Sequence, residues 1–314
     1  MRVLQVNGLK KYFTVGLLRK YIIKALDDVS FDIDQSEIFG VLGESGCGKS
    51  TLGLVLSRIE RETNGEILFK GKRVDGSTKL DPDTRREIQM IFQNPYESFD
   101  QRLTIEDSLM VPLKINKIGE NDYQRKEIIK HFMHRAGLEP AQSFLVRYPH
   151  ELSGGQLQRI SLLRAMMLNP AFLIADECVS MLDLSVRASV INLMLDLVKT
   201  QKTTVMFITH DISLAKYVSD RIAVLYLGKI VELGTSSQVV ERSLHPYTKV
   251  LVSYSPSIFE KKQKIKPKEL IGIFQPEIGC NFANRCPYAD IECEKQTPQL
   301  RQIEPGHYVS CLKV

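Results

Sequence analysis

The stretch EIFGVLGESGCGKSTLGLVLSRI, residues 37–59, constrains this chain more than any other. It opens with an apolar run over residues 37–42 that reads as a buried strand, turns through glycines, and continues as a helix from about residue 49. Inside it, Gly43-x-x-x-x-Gly48-Lys49-Ser50 fits the phosphate-binding-loop pattern in the strand–loop–helix context which that pattern requires. Glycines let the backbone curl until several N–H groups converge on phosphate oxygens. The helix N-terminus adds partial positive charge. Gly43, Glu44, Ser45, Gly46, Cys47, Gly48, Lys49, Ser50 and Thr51 are therefore the expected cradle. Lys49 should reach the β- and γ-phosphates, and Ser50 should ligate Mg²⁺. Cys47 fills a variable loop position and is assigned no chemistry.

Such a loop implies a nucleoside triphosphate and no more. An acidic partner should end a second apolar strand, and AFLIADE, residues 171–177, supplies it. Phe172 to Ala175 read as a fully buried parallel strand. Asp176 and Glu177 follow at its C-terminal end, the edge where ligands of α/β sheets bind. Asp176 is expected to hold Mg²⁺, and Glu177 to polarise an attacking water.

ELSGGQLQRISLLRAMMLNP, residues 151–170, reads as a helix start. Ser153 can cap, and Gln156 three residues on completes a capping-box pattern. Ile160, Leu163 and Met167 recur at helical spacing, and Pro170 lies just past the end. Two consecutive glycines in a first turn cost about 1 kcal/mol each against alanine. That cost suggests close approach by something, and phosphate at a helix N-terminus is a natural candidate.

LSGGQ, placed between the phosphate loop and FLIADE, resembles the signature of ATP-binding cassette (ABC) ATPases. The other family elements occur in order. Gln93 in IFQNPYESF matches the Q-loop, Asp183 in SMLD the D-loop, and His210 in FITHD the switch histidine. Phe13 in LKKYF matches the aromatic that stacks on adenine, with Tyr12 beside it as a fallback. The resemblance implies an α/β fold, the P-loop NTPase ABC cassette: a RecA-like core, a β-subdomain, and an inserted helical subdomain at about 94–160. The cassette would span 1–245, and 246–314 would form an extension with a small cysteine-rich lobe. The resemblance further implies that two cassettes pair head to tail. Ser153, Gly154, Gly155 and Gln156 would then meet the γ-phosphate on the partner's loop, with Asp183 beside it. Glu177 would be the general base, His210 would orient the γ-phosphate and water, and Gln93 would join Ser50 and Asp176 at Mg²⁺. Two positions depart from the family pattern: Cys178 stands where proline is usual, and Met181 replaces a small residue.

Bulk properties fit. The 314 residues are 43% hydrophobic and 25% charged, ordinary for a globular chain large enough for a sizeable core. A net charge of +5 is mild and gives only weak support for nucleic acid or an anionic membrane surface. MRVLQVNGLKKYF lacks the features of a signal peptide, and no run approaches the roughly 18 apolar residues that span a bilayer. A soluble protein on the cytoplasmic face of the membrane, held there through partners, is expected. His131 and His134 share a helical spacing without further ligands and read as surface residues. A soluble ABC protein acting on nucleic acid usually carries two cassettes or long coiled coils, and this chain has neither. A non-hydrolysing regulator is disfavoured by intact Lys49, Asp176, Glu177 and His210.

GESGCGKSTLG, MIFQNPYESF, LHPYTKVLV and the cysteine-rich tail are similar to the oligopeptide/dipeptide permease ATPases. The resemblance implies the second ATPase subunit of an importer, partnered by a paralogous cassette, two transmembrane permease subunits and an extracytoplasmic solute-binding protein. It implies oligopeptides or dipeptides as the cargo, with oligosaccharides as the alternative. KKQKIKPK, residues 261–268, reads as a solvated linker or a contact for anionic headgroups. The tail cysteines follow the spacing Cys280-x5-Cys286-x6-Cys293-x17-Cys311. A reducing compartment disfavours disulfides, and four thiolates suit zinc or an iron–sulfur cluster. Zinc sites more often begin with closer pairs, and unligated thiols stay open. The permease resemblance implies a [4Fe–4S] cluster, with the four cysteines as structural ligands far from hydrolysis.

Overall fold

The structure, a computed structural model, describes residues 1–16, 21–76, 80–254 and 275–314. The lysine-rich segment 261–268 lies outside the described residues. The chain divides into two compact units: Met1–Thr78 with Phe207–Val314, and Lys79–Met206.

The first unit begins with β1 (Arg2–Val15), β2 (Tyr21–Asp34), β3 (Ile38–Leu42), α1 (Lys49–Leu56), β4 (Asn64–Phe69) and β5 (Lys72–Arg73). Four of the strands form an antiparallel sheet in the order β2-β1-β4-β5. Their apolar residues alternate, with Val29, Phe31 and Ile33 buried on β2 and Ile67 and Phe69 on β4. That period of two is what a sheet covered on one face requires. In β3, by contrast, Phe39 to Leu42 are all buried, the unbroken run of a strand covered on both faces.

The second unit contains α2 (Pro82–Glu87), β6 (Ile88–Ile91), α3 (Ile105–Ile115), α4 (Asp122–Arg135), α5 (Ala141–Leu145), α6 (Gly154–Met166), β7 (Phe172–Asp176) and α7 (Leu184–Gln201). Strands β6 and β7 are parallel, with Ile88 opposite Phe172 and Ile91 opposite Ala175. Thr104 and Asn121 cap α3 and α4 by accepting the N–H groups of Asp107 and Gln124. Ile105, Leu109 and Leu113 make one buried stripe along α3, the i, i+4 spacing of a helix packed on one side.

Strand β8 (Thr204–Thr209) carries the chain back to the first unit, which continues with α8 (Ile212–Val218), β9 (Arg221–Tyr226), β10 (Lys229–Thr235), α9 (Ser236–Glu241), α10 (Pro246–Ser253), α11 (Ile291–Lys295), β11 (Arg301–Glu304) and β12 (His307–Val309). Here the strand order is β11-β12-β10-β9-β3, parallel between β3 and β9 and antiparallel elsewhere. The C-terminal tail is thus knitted into the core through β12 on β10. Buried Glu232 of β10 tightens this join. It accepts the N–H groups of Leu244 and His245, each at 2.9 Å, and lies 2.8 Å from His307 Nε2. Tyr226, Tyr247 and Phe282 then pack ring against ring, with centroids 4.5–5.4 Å apart. Among the described residues no helix is long and apolar enough to cross a membrane.

Candidate functional site

The phosphate-binding loop joins β3 to α1, and its glycines are needed for space as well as for backbone angle. A Cβ on Gly43 would lie 2.3 Å from the Leu225 carbonyl oxygen. On Gly48, whose φ is +109°, it would lie 2.2 Å from the Ala25 carbonyl oxygen. Neither backbone oxygen can yield as a flexible side chain would. Lys49 is buried, and its ammonium donates to the carbonyl oxygens of Gly43 and Glu44 at 2.8 and 3.0 Å. Ser50 and Thr51 follow in the first turn of α1. Cys47 is buried against Gly43, and burial raises its thiol pKa, so it packs as a small apolar group. His210 is exposed directly after β8.

Phe13 is half-buried on β1, with the Lys11 ammonium 4.7 Å from its ring centroid. Tyr12 is committed elsewhere: its hydroxyl donates to Asp27 at 2.6 Å. Burial, with Asp27 adding, lifts the phenol to about 12. Of the two aromatics, Phe13 is the one without a structural hydrogen bond to break.

In the second unit the parallel register of β6 and β7 brings their C-terminal ends to one edge. Gln93 follows β6, Asp176 ends β7, and Glu177 comes directly after it. Gln93 Nε2 donates to Glu177 Oε2 at 3.3 Å and lies 3.4 Å from Ser180 Oγ. Asp176 is buried. Glu177 adopts φ +44°, a left-handed conformation that costs a non-glycine residue about 1–3 kcal/mol and persists only where the surroundings enforce it. Cys178 beside it is buried, and burial pushes its thiol up to about 12, so it is a packing residue and no nucleophile. Met181, the other departure from the family pattern, is exposed.

Ser153 caps α6 and is itself exposed. Its hydroxyl accepts the Gln156 N–H at 3.3 Å, and Gln156 Oε1 accepts the Ser153 N–H at 3.1 Å, a closed capping box. The two glycines have different reasons to be there. A Cβ on Gly155 would lie 2.4 Å from Val186 Cγ1 of α7, so close helix packing is one reason for a glycine there. On Gly154 it would meet only Leu182 Cδ2, at an ordinary 3.7 Å. Arg159 of α6 donates to Ser189 of α7 at 2.7 Å. The two helices therefore run side by side in the same direction, with exposed Ser153 and exposed Asp183, the cap of α7, at one end.

The cysteine tail differs from its expected remoteness. Cys280, Cys286, Cys293 and Cys311 line one small cavity with His245 and Phe282. None of the six cysteines is in a disulfide. Burial, reinforced by the other three tail thiols, pushes Cys280 up to about 11, and burial drives His245 down to about 3, so that imidazole is neutral. Among the described residues no group of three or more His, Cys, Asp or Glu side chains is placed to hold a metal ion, so the structure does not show the expected cluster. Arg285, the residue before Cys286, reaches the phosphate-binding loop itself, donating to both carboxylate oxygens of Glu44 at 2.7 and 3.0 Å. Nothing in the sequence spacing signals this contact, nor that of Tyr247, whose hydroxyl accepts the Glu44 N–H at 2.9 Å.

Comparison with known proteins agrees with this geometry. Residues 26–180 match the family model described as ABC transporter, and residues 231–293 match the oligopeptide/dipeptide transporter, C-terminal region. The oligopeptide transport ATP-binding protein AppF of Bacillus subtilis is 40% identical over 321 residues, covering 98% of this chain and 96% of that one. The di/tripeptide transport ATP-binding protein DppF of Pseudomonas aeruginosa is 41% identical, covering 96% and 95%. The ATP-binding cassette MJ0796, solved as a dimer in a post-hydrolysis state with ADP and Pi, superimposes with a TM-score of 0.66 at 27% identity, over 74% of this chain and 98% of that one. The α/β cassette expected from the motifs is the fold found. With likeness running over nearly the whole length and through both the cassette and its C-terminal region, this chain belongs to the ATP-binding subunits of the ABC transporters, in their oligopeptide/dipeptide branch.

Proposed function

We propose that this chain hydrolyses ATP to drive import of oligopeptides or dipeptides, as one of two paired cassettes beneath two transmembrane permease subunits supplied by an extracytoplasmic binding protein. The observation that carries the cargo class is the full-length likeness to AppF and DppF, C-terminal region included. Within the chain, Lys49 exchanges the Gly43 and Glu44 carbonyls for the β- and γ-phosphate oxygens. Ser50, Gln93 and Asp176 would hold Mg²⁺, which would supply charge withdrawal from the phosphate oxygens. Glu177 takes the proton of the attacking water, its carboxylate oriented by Gln93 and its backbone by the strained φ. His210 orients the γ-phosphate, and Phe13 offers its ring to adenine. The start of α6, Ser153 to Gln156, with Asp183 beside it, serves the ATP bound by the other cassette.

A groove of about 350 Å³ in the second unit suits a permease segment. Met90, Val111 and Ile115 give it an apolar wall, while Arg86 Nε and Ser108 Oγ lie buried there with no hydrogen-bond partner among the described residues. The chain then sits peripherally, on the cytoplasmic face. Purification of the intact complex and its reconstitution into vesicles tests the function. Peptides should raise ATP turnover through the binding protein, and Lys49→Ala should abolish it. Stimulation by oligosaccharides and not peptides would replace the cargo, and association with nucleic acid would remove the transport reading.

For the four tail cysteines the reading is a [4Fe–4S] cluster, because their thiols line one cavity and four thiolates are the usual donor set of such a cluster. The cluster would supply a rigid cross-link among the cysteine segments. Anaerobically purified protein should contain about four irons and four acid-labile sulfides per chain, lost in Cys286→Ser. Stoichiometric zinc would replace the cluster, and absence of all metal would dismiss the site.

A further inference from the structure

Every polar group of one phosphate-loop residue is held. The Glu44 N–H donates to Tyr247 Oη at 2.9 Å. Its carbonyl oxygen accepts from Lys49 Nζ at 3.0 Å and from the Cys47 N–H at 3.3 Å. Its carboxylate takes the two-pronged grip of Arg285. Tyr247 and Arg285 both lie beyond residue 245, outside a minimal cassette. Both are seated in the same aromatic cluster, with the Arg285 guanidinium 5.9 Å from the Tyr226 ring and 5.8 Å from the Phe282 ring. Tyr247 and Phe282 are fully buried, and Cys286 packs in the same core. The Arg285 side chain is only 13% exposed, against 41% for Glu44, so the arginine is the fixed member and the loop carboxylate the one it restrains.

A carboxylate in a loop built to receive anions opposes the ligand. Left unpaired, Glu44 would repel a triphosphate and could swing across the cradle. Its pairing is charge-assisted and bidentate, a geometry that only arginine supplies. We propose that Arg285 is a positioning residue for nucleotide binding: by neutralising and pinning Glu44 it sets the phosphate loop for ATP and makes ATP affinity depend on the C-terminal lobe. The inference rests on the ATP site and is independent of what the four cysteines hold.

The test is affinity of the purified full-length chain for the non-hydrolysable analogue AMP-PNP, with thermal midpoint and metal content read on the same samples. Arg285→Gln should weaken binding about five- to tenfold, the effect of losing a half-exposed charge-assisted pair. In the assembled transporter KM for ATP should rise with kcat nearly unchanged, because Arg285 touches no reacting atom. Adding Glu44→Gln to that variant should restore most of the affinity, since the opposing charge is then gone. Glu44→Asp withdraws the carboxylate from the fork while leaving the lobe intact, and should weaken binding in the same direction even if Arg285→Gln does not fold. Unchanged affinity in both single variants overturns the proposal. So does a loss that Glu44→Gln fails to restore, or one that only tracks the fraction of folded or metal-loaded chain.

Discussion

Glu177→Gln should keep ATP binding while turnover falls by about 10²–10⁴-fold, the usual contribution of a positioned general base. The amide has the shape of the carboxylate, so the hydrogen-bonding position 3.3 Å from Gln93 Nε2 and the left-handed backbone at residue 177 can both survive. What is lost is the ability to accept a proton from water. Binding should be untouched because the proposed phosphate cradle, Gly43–Thr51, does not include residue 177. The measurement is single-turnover hydrolysis beside equilibrium binding of ATP. Near-normal hydrolysis would remove Glu177 from the mechanism, and a parallel loss of binding would mean that the substitution had disturbed the fold.

The second large effect is expected at Gly48, and the comparison with Gly46 makes it specific. Both glycines have positive φ, +109° and +79°. A side chain in the left-handed region costs about 1–2 kcal/mol wherever it stands. A Cβ on Gly46 would meet nothing within 4 Å, whereas one on Gly48 would drive into the Ala25 carbonyl oxygen. Gly46→Ala should therefore destabilise the chain by about 1–2 kcal/mol and leave the loop's shape alone. Gly48→Ala adds overpacking against backbone and should cost about 3 kcal/mol or more, with ATP binding lost as the start of α1 shifts. Denaturant unfolding and nucleotide titration of the two variants check this directly. Equal effects would show that the close approach to Ala25 does not limit the loop.

The motifs were legible because each encodes local backbone chemistry. The loop pattern from Gly43 to Ser50 demands glycines where the chain turns and a lysine where the helix starts, and these lie within eight residues. The capping box of Ser153 and Gln156 is likewise a local device, and it forms as its residues require. The unbroken apolar runs of β3 and β7 announce strands covered on both faces. Their terminal residues could be assigned to a ligand edge without knowing which strands are neighbours.

Other features had no local signature. Gly155 has a packing reason that its sequence context does not carry: a side chain there would meet Val186, a partner that only the pairing of α6 with α7 supplies. Gln93 reaches Glu177 because β6 lies parallel to β7, a register that no window of sequence contains. The cysteine tail read as a remote appendage because its residues follow the cassette in the chain.

The sequence by itself determined the cradle, the acidic strand end, the capped helix start and the branch of the family, since those depend on residue types at short spacings. Tertiary structure alone decided that the tail belongs to the core. Strand β12 adds to β10, the Tyr226–Tyr247–Phe282 cluster fills behind it, and Arg285 meets Glu44 across 241 residues of chain. The physical reason is one of range. Backbone conformation answers to neighbours along the chain, whereas an ion pair answers to neighbours in space, and those are set by strand order and side-chain packing.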